Sequence, residues 1–302
     1  VVEMETNEKR GHLHLHTGAS DGLVTIEDIA ESGISFTAIT DHDTMEGIGK
    51  FMALEKHGIE VIPGIELSAR HMGKNMHMLV YYPKAKPELY AMLEEFRMKR
   101  VKRALTTAEK LAEHGIIMDR AAILAEKGLI AKGNMARMAL DYPANRALLA
   151  TQGIKDAQEF IQAYLNKNKP GHVKLGGMEV SELIKLVDGV KVLAHPAHNL
   201  DMGTHDYIVE DLAKNYGIWG IEVWTRKHDP GAPEYYLNLA KKLGLYPIIS
   251  NDVHAKEDLS ENRAPYEMVE AIKKQKTGFK AQQGALHCRH SIISQLFPCP
   301  YP

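Results

Sequence analysis

The sequence has almost no cysteine. Two in 302 residues, Cys288 and Cys299, both near its C-terminal end, do not have zinc-finger spacing and do not suggest a disulfide framework. There is no excess charge of either sign. With 37 Lys and Arg against 39 Asp and Glu, the net charge of −2 gives no reason to expect bulk attraction to nucleic acid or to a membrane surface, so any anion binding must be local. No apolar run approaches the length of a membrane span, and the polar residues 1–10 do not read as a signal peptide. Internal repeats and low-complexity segments are also missing. The expectation is a soluble, cytoplasmic globular protein, long enough to bury a substantial core without covalent staples. The outlier is histidine, with 16 residues, and their positions carry the argument.

Short apolar runs alternate with helical stretches. Residues 11–17 read as a strand with His12, His14 and His16 on one face and Leu13 and Leu15 on the other. Thr25 caps a helix to residue 33, with Asp28 as the reciprocal carboxylate. Residues 36–40 read as a strand and 45–57 as a helix stopped by Gly58. Residues 60–69 and 75–82 read as strands paired through Met72, Gly73 and Lys74. From 87 to 165 the pattern is helical and punctuated by glycine and proline. Strands are then expected at 191–194, 220–225 and 246–250, with helices at 180–187, 208–216, 234–243 and 266–275. This alternation implies an α/β fold with a mainly parallel sheet and helical crossovers. The domain boundaries expected are 11–86 and 174–276 for the two parts of one barrel, 87–173 for an all-helical insertion, and 277–302 for a tail.

Metal-binding residue types recur at or near the strand ends. His14 and His16 close the first strand, with Asp21 in the next loop. Asp41, His42 and Asp43 follow the second. Glu66 lies in the third and His77 in the fourth. His195 ends the strand after the helical region, and Asp252 and His254 follow the last. Active sites of parallel α/β barrels are assembled at the C-terminal ends of several strands. One His-x-His pair presents two imidazoles on one face of a strand, and a carboxylate in an apolar strand is costly unless it is paired or bound to metal. Each piece alone is a weak signal; their recurrence at six strands points to one shared metal centre.

The segments LHLHT with SDG, ITDHDT, VIPGIELS, MHMLVYY, VLAHP and NDVHA resemble, in order and spacing, the PHP (polymerase and histidinol phosphatase) superfamily, from about His12 to about Arg263. The stretches NKPGHVKLGGMEVSELIKL and GIEVWTRKH are similar to its stand-alone phosphoesterases with a helical insertion, the group of nucleoside 3′,5′-bisphosphate phosphatases and RNA-trimming 5′-nucleases. The resemblance implies a distorted (β/α)7 barrel holding up to three divalent ions. It implies that His14, His16, Glu66 and Asp252 hold one ion, that Glu66 bridges to a second completed by His77 and His195, and that Asp21, His42 and His254 hold a third. Asp21, His42 and His254 are then also candidate catalytic residues, joined by Asp43 as a ligand-orienting group or proton relay, unless Asp43 is only a helix cap.

Two departures matter. His12 stands where the family usually has aspartate, which touches a supporting hydrogen bond and not a ligand. The family group's G-R-P-H-x-A-R segment reads Ala131-Lys132-Gly133-Asn134-Met135-Ala136-Arg137 here. Lysine keeps the charge but not the bidentate phosphate geometry of arginine. Lys132 and Arg137, with Arg226 and His228 after a strand end, are the candidate substrate-binding residues.

Mixed imidazole and carboxylate shells suit manganese, iron or zinc. Three divalent ions bring about +6 and Asp21, Glu66 and Asp252 return about −3, so the centre favours an anionic substrate. The expected activity is hydrolysis of phosphomonoesters, nucleotide-like ones first, by a metal-bridging hydroxide. The alternatives are a 5′-acting exonuclease on short RNA, a histidinol-phosphate phosphatase, and a metal-binding module without catalysis.

Overall fold

The structure is a computed structural model and describes residues 9–126 and 129–278. Both cysteines and most of the expected tail lie outside the described residues. In chain order the first part contains β1 (Arg10–Leu15), α1 (Ile26–Glu31), β2 (Phe36–Ile39), α2 (Glu46–Phe51), β3 (Glu60–His71) and β4 (Lys74–Ala85). Next come α3 (Pro87–Ala112), α4 (Arg120–Ala125), α5 (Lys132–Asp141), α6 (Arg146–Thr151) and α7 (Ala157–Phe160). The last part contains β5 (Met178–Glu179), α8 (Val180–Leu186), β6 (Val187–Ala194), α9 (Asp206–Asn215), β7 (Ile218–Trp224), α10 (Ala232–Leu243), β8 (Tyr246–Ile249), β9 (Ala264–Pro265) and α11 (Tyr266–Lys276).

Local chemistry explains the element ends. Thr25 and Asp28 form the expected reciprocal cap of α1. Gly58 adopts φ 74° and ends the 3-10 turn that continues α2, a conformation a side chain would disfavour. Met72 and Gly73, both at positive φ, turn β3 into β4. Pro87 starts α3, and Leu89, Leu93, Phe96, Arg100 and Ala104 form one buried face along it at helical spacing.

The described strands form one mixed sheet in the order β8-β7-β6-β4-β3-β2-β1-β9, with β5 beside β3. Pairings β1·β2, β2·β3, β6·β7 and β7·β8 are parallel, whereas β4 runs antiparallel to both β3 and β6. That reversal positions the site. His77 is near the start of β4, opposite Ser68 and Ala194, so it lies at the same end of the sheet as the C-terminal ends of β6 and its parallel neighbours. β5 and β9 are two residues each, too short for side-chain periodicity to reveal in sequence.

Among the described residues the apolar core divides into four clusters. The largest packs α8, α9, α10 and the first half of α3 against β3, β4, β6 and β7. A second joins Leu13, Phe36, Ile62, Leu79, Val192 and Ile248 from six strands, with Met268, Val269 and Ile272 of α11 against them. Val101 to Leu165, from α3 onward, supply a separate cluster among the helices between β4 and β5. None of the described helices is long and apolar enough to cross a membrane.

Candidate metal centre

β1 is buried on both faces, and His12, His14 and His16 are all inaccessible to solvent. The loop after it is latched by Asp41, which accepts hydrogen bonds from Thr17 N–H (2.7 Å), Thr17 Oγ1 (2.8 Å) and Ser20 Oγ (2.7 Å). A Cβ on Gly47 would lie 2.1 Å from the Asp41 carboxylate, so glycine is required there. The latch sets the loop that carries Asp21. Three site residues, Asp43, His195 and Asp252, hold positive φ angles of 51°, 25° and 51°. Such left-handed backbone costs on the order of 1–3 kcal/mol each and persists only where surrounding contacts enforce it.

The ligand candidates converge. His14 Nε2 is 3.1 Å from His16 Nε2, 3.3 Å from Glu66 Oε2 and 3.4 Å from Asp252 Oδ1. His16 Nε2 is 3.2 Å and 3.1 Å from the same two oxygens. These are five of the six edges of a tetrahedron. Four ligands held about 2.0–2.1 Å from one ion are spaced by about 3.3–3.4 Å. Glu66 then reaches the next group, with His42 Nδ1 2.7 Å from Oε2 and His77 Nδ1 and His195 Nε2 each 3.0 Å from Oε1. Asp21 Oδ1 lies 3.3 Å from His254 Nε2 and 3.8 Å from His16 Nδ1. Three groups therefore arise: His14, His16, Glu66 and Asp252; His42, Glu66 and His77; and His16, Asp21, His42 and His254. His42 and His16 each belong to two of them. His195 lies outside these compact groups and joins the second through Glu66.

The electrostatics demand positive charge here. Burial opposes charge on His14 and His16, yet the carboxylates of Glu66 and Asp252, with Glu222 beside His14, raise both rings, His16 to about 10. Burial likewise opposes ionisation of Glu66 and Asp252, but the surrounding histidines, and Lys227 beside Asp252, hold both carboxyls well below the usual range. Asp21 is lowered in the same way by His254 and His42. His42 is lowered, chiefly by burial. Among the described residues, His42 Nδ1, His77 Nδ1, Asp21 Oδ1, Glu66 Oε2 and Asp252 Oδ1 are buried without a hydrogen-bond partner of their own. Close approach without hydrogen-bond geometry is how ligands of a shared cation are arranged. The imidazole and carboxylate donor set fits divalent transition metals.

The remaining expected residues separate. Asp43 faces away from the ligand cluster. Its carboxylate accepts from Ser68 N–H (2.6 Å), Ser68 Oγ (2.8 Å) and Arg100 (2.6 Å), and it is not the cap of α2. On α5, Arg137 donates to the Asp21 carbonyl (3.1 Å), Asn134 to the Ser20 carbonyl (3.2 Å), and Lys132 to Asn166 (3.0 Å). α5 thus abuts the loop that carries Asp21. Arg226 is committed to Asp258 and the Asp252 carbonyl. His228 bonds the Val223 carbonyl through Nδ1 and stacks on Tyr236. The cation of this loop that reaches the cluster is Lys227, 3.2 Å from Asp252 Oδ2.

His12 donates from Nε2 to the Leu259 carbonyl at 3.1 Å and touches no ligand. Burial lowers its pKa from 6.5 to about 4. A depressed histidine binds protons more readily in the unfolded chain. Its contribution is complete above pH 6.5 and is lost as the pH falls toward 4, about 3 kcal/mol over that window. The urea midpoint of the protein should therefore fall more between pH 7 and pH 4.5 than that of His12→Gln, which keeps a donor for Leu259 and does not titrate. Equal falls would remove His12 from the account.

Two buried charged residues that support the site were absent from the sequence reading. Glu222 on β7 is fully buried and hydrogen-bonded to His14. Like Glu66, it is a carboxylate in an apolar strand, costly there unless it is paired or bound to metal. Arg100 hides among the charged residues of the α3 sequence, and only helical phase places it on the buried face.

The PHP domain family model matches residues 12–175. A 5′-3′ exoribonuclease from Haemophilus influenzae is 26 % identical over 258 residues, covering 82 % of this chain and 90 % of the relative. A 3′,5′-nucleoside bisphosphate phosphatase from Chromobacterium violaceum is 28 % identical over 258 residues, covering 80 % and 86 %. A solved structure from the same species, described as an amidohydrolase with bound sulfate, superposes with a TM-score of 0.70 at 27 % identity, covering 83 % of this chain and 89 % of that one.

Proposed function

Since the chain belongs to the PHP domain family, we propose that this metal-dependent phosphoesterase hydrolyses nucleotide-like phosphomonoesters, a 3′,5′-bisphosphate or a 5′-mononucleotide. The observation that carries the reading is the near-tetrahedral set of His14, His16, Glu66 and Asp252, with five mutual distances between 3.1 and 3.4 Å. In this reading they hold one ion, Glu66 with His77 and His195 a second, and Asp21, His42 and His254 a third. Bound manganese, iron or zinc would supply an activated water and neutralise phosphoryl charge. The protein's own part is to hold these side chains at fixed spacing in a buried, low-dielectric site, where placed charges act strongly. Lys227 is about one-third exposed beside Asp252, which suits it to meet a phosphoryl oxygen. Arg137 of α5 reaches the Asp21 carbonyl, while Lys132 on the same helix is held by Asn166 and as a substrate contact would meet phosphate as a point charge. Asp43 acts here as a brace and not as a proton relay.

The sheet is read as a distorted barrel of the seven longer strands. Backbone hydrogen bonds between Val253, after β8, and His14 and His16 of the β1 segment support closure (3.0 and 2.9 Å). The apolar cluster shared by strands from both ends of the sheet supports it too. Residues 87–173 are read as a helical insertion with its own core, between barrel parts 11–86 and 174–276. The H. influenzae relative favours a second reading, a 5′-acting exonuclease on short RNA.

The test is a screen of mononucleotides, 3′,5′-bisphosphates and short RNAs with manganese, alongside elemental analysis and a chelator control. Release of phosphate that a chelator abolishes is the expected result. Salt-sensitive shortening of RNA with no phosphatase activity would select the nuclease. A metal-loaded protein that cleaves no phosphoester would leave a metal-binding module.

A further inference from the structure

Glu222 belongs to none of the three ligand groups, yet it touches His14, a member of one, and the backbone of His195, which joins another through Glu66. Its Oε1 accepts from His14 Nδ1 at 2.9 Å and from Ser250 Oγ, and its Oε2 accepts from the backbone N–H of His195 at 2.7 Å. The residue is fully buried, where a carboxylate is costly unless each oxygen is satisfied. Here both are.

We infer that Glu222 is a positioning residue that sets two metal ligands at once, fixing the tautomer of His14 and clamping the backbone of His195. The inference rests on the metal-centre reading above. A neutral imidazole, the form that binds metal, presents the lone pair of Nε2 when it donates from Nδ1, and His14 Nε2 is the atom facing His16, Glu66 and Asp252. His195 sits at φ 25°, ψ 61° immediately before Pro196. Residues before proline avoid helical conformations, and left-handed backbone is costly without glycine, so this geometry needs an external hold. The hydrogen bond from His195 N–H to Glu222 supplies it, and it aims His195 Nε2 at Glu66 Oε1, 3.0 Å away. One carboxylate thereby couples a ligand of the first ion to a ligand of the second.

Glu222→Gln tests the coupling at constant size. An amide has one acceptor oxygen and one donor group. If its oxygen serves His195, the amino group faces His14 Nδ1 and drives the ring proton to Nε2, where no cation can then bind. If its oxygen serves His14, the amino group confronts the His195 N–H. Zinc affinity, measured by chelator competition, is expected to fall about 10–100-fold, the usual cost of losing an outer hydrogen-bond partner. Ser250→Ala, which leaves both clamping bonds, should change it little. Nitrogen-15 spectra of the zinc-loaded wild-type protein provide a readout that does not depend on any variant folding. They should show His14 with its proton on Nδ1, exchanging slowly with solvent. Unchanged zinc affinity in Glu222→Gln, or a His14 ring bound to zinc through Nδ1, would overturn the positioning role alone. A wild-type protein that binds no zinc, manganese or iron would overturn the metal centre itself.

Discussion

Glu66→Gln is expected to empty the centre of metal and to lower turnover by at least about 10³-fold, the scale of losing one preorganised charge-stabilising group, while the sheet remains folded. The two oxygens of Glu66 meet five ligand candidates. Oε2 faces His14 (3.3 Å), His16 (3.2 Å) and His42 (2.7 Å), and Oε1 faces His77 and His195 (3.0 Å each). The substitution replaces one of these oxygens with an amino group that cannot bind a cation, whichever way the amide turns. Because Glu66 is shared, both the first and second ligand groups lose a member, and the buried site loses a negative charge. The fold should survive because β3 is held by its backbone pairing to β2 and β4 and not by this side chain. Metal stoichiometry by elemental analysis, circular dichroism and phosphate release measure the three parts separately. A variant with wild-type metal content and turnover would reject Glu66 as the shared ligand.

The candidate ligands stood out in the sequence by their recurrence at six strands, although each piece alone was weak. His14 and His16 alternate with leucines in one short strand, and Asp252 and His254 repeat the spacing at another. What the sequence left hidden depends on orientation and partner choice. The turn at Met72, Gly73 and Lys74 announces that β4 runs back along β3, but nothing local says that β4 also pairs with β6, which sets His77 opposite Ala194 and beside His195. Nothing local says which partner a long side chain takes, and so Arg226, expected at the substrate, lies against Asp258 while its neighbour Lys227 reaches Asp252. Glu222 carried the same signal as Glu66 and was missed because a lone carboxylate in a strand also fits an exposed edge. His42 illustrates a further limit. The family resemblance implied one ion for it, whereas its ring lies between two ligand groups, a relation fixed only when β2 and β3 pair.

Arg100→Met is expected to destabilise the protein by about 3–5 kcal/mol, the cost of leaving one member of a buried ion pair without its partner. Arg100 is only 6 % exposed, and its guanidinium donates to Asp43 Oδ2 (2.6 Å) and Ser68 Oγ (2.7 Å) while lying 5.0 Å from the Phe96 ring centroid. Methionine fills much of the same volume and keeps the contact with Phe96, so the loss is mainly electrostatic. It strands the Asp43 carboxylate, which is nearly inaccessible to water. Replacing Asp43 by Asn in the same protein should restore part of the stability, since the amide carries no charge to leave uncompensated. The consequence extends to the metal centre. Asp43 N–H donates to the Glu66 carbonyl at 2.8 Å, and its side chain grips Ser68 two residues further along β3. Arg100 therefore ties α3 to the strand that aims Glu66, and metal affinity should weaken along with stability, by about 10–100-fold as for other outer partners. Urea unfolding of the single and double variants, with zinc affinity measured on each, separates the two effects. Wild-type stability in Arg100→Met would show that the ion pair does not hold the helix to the sheet.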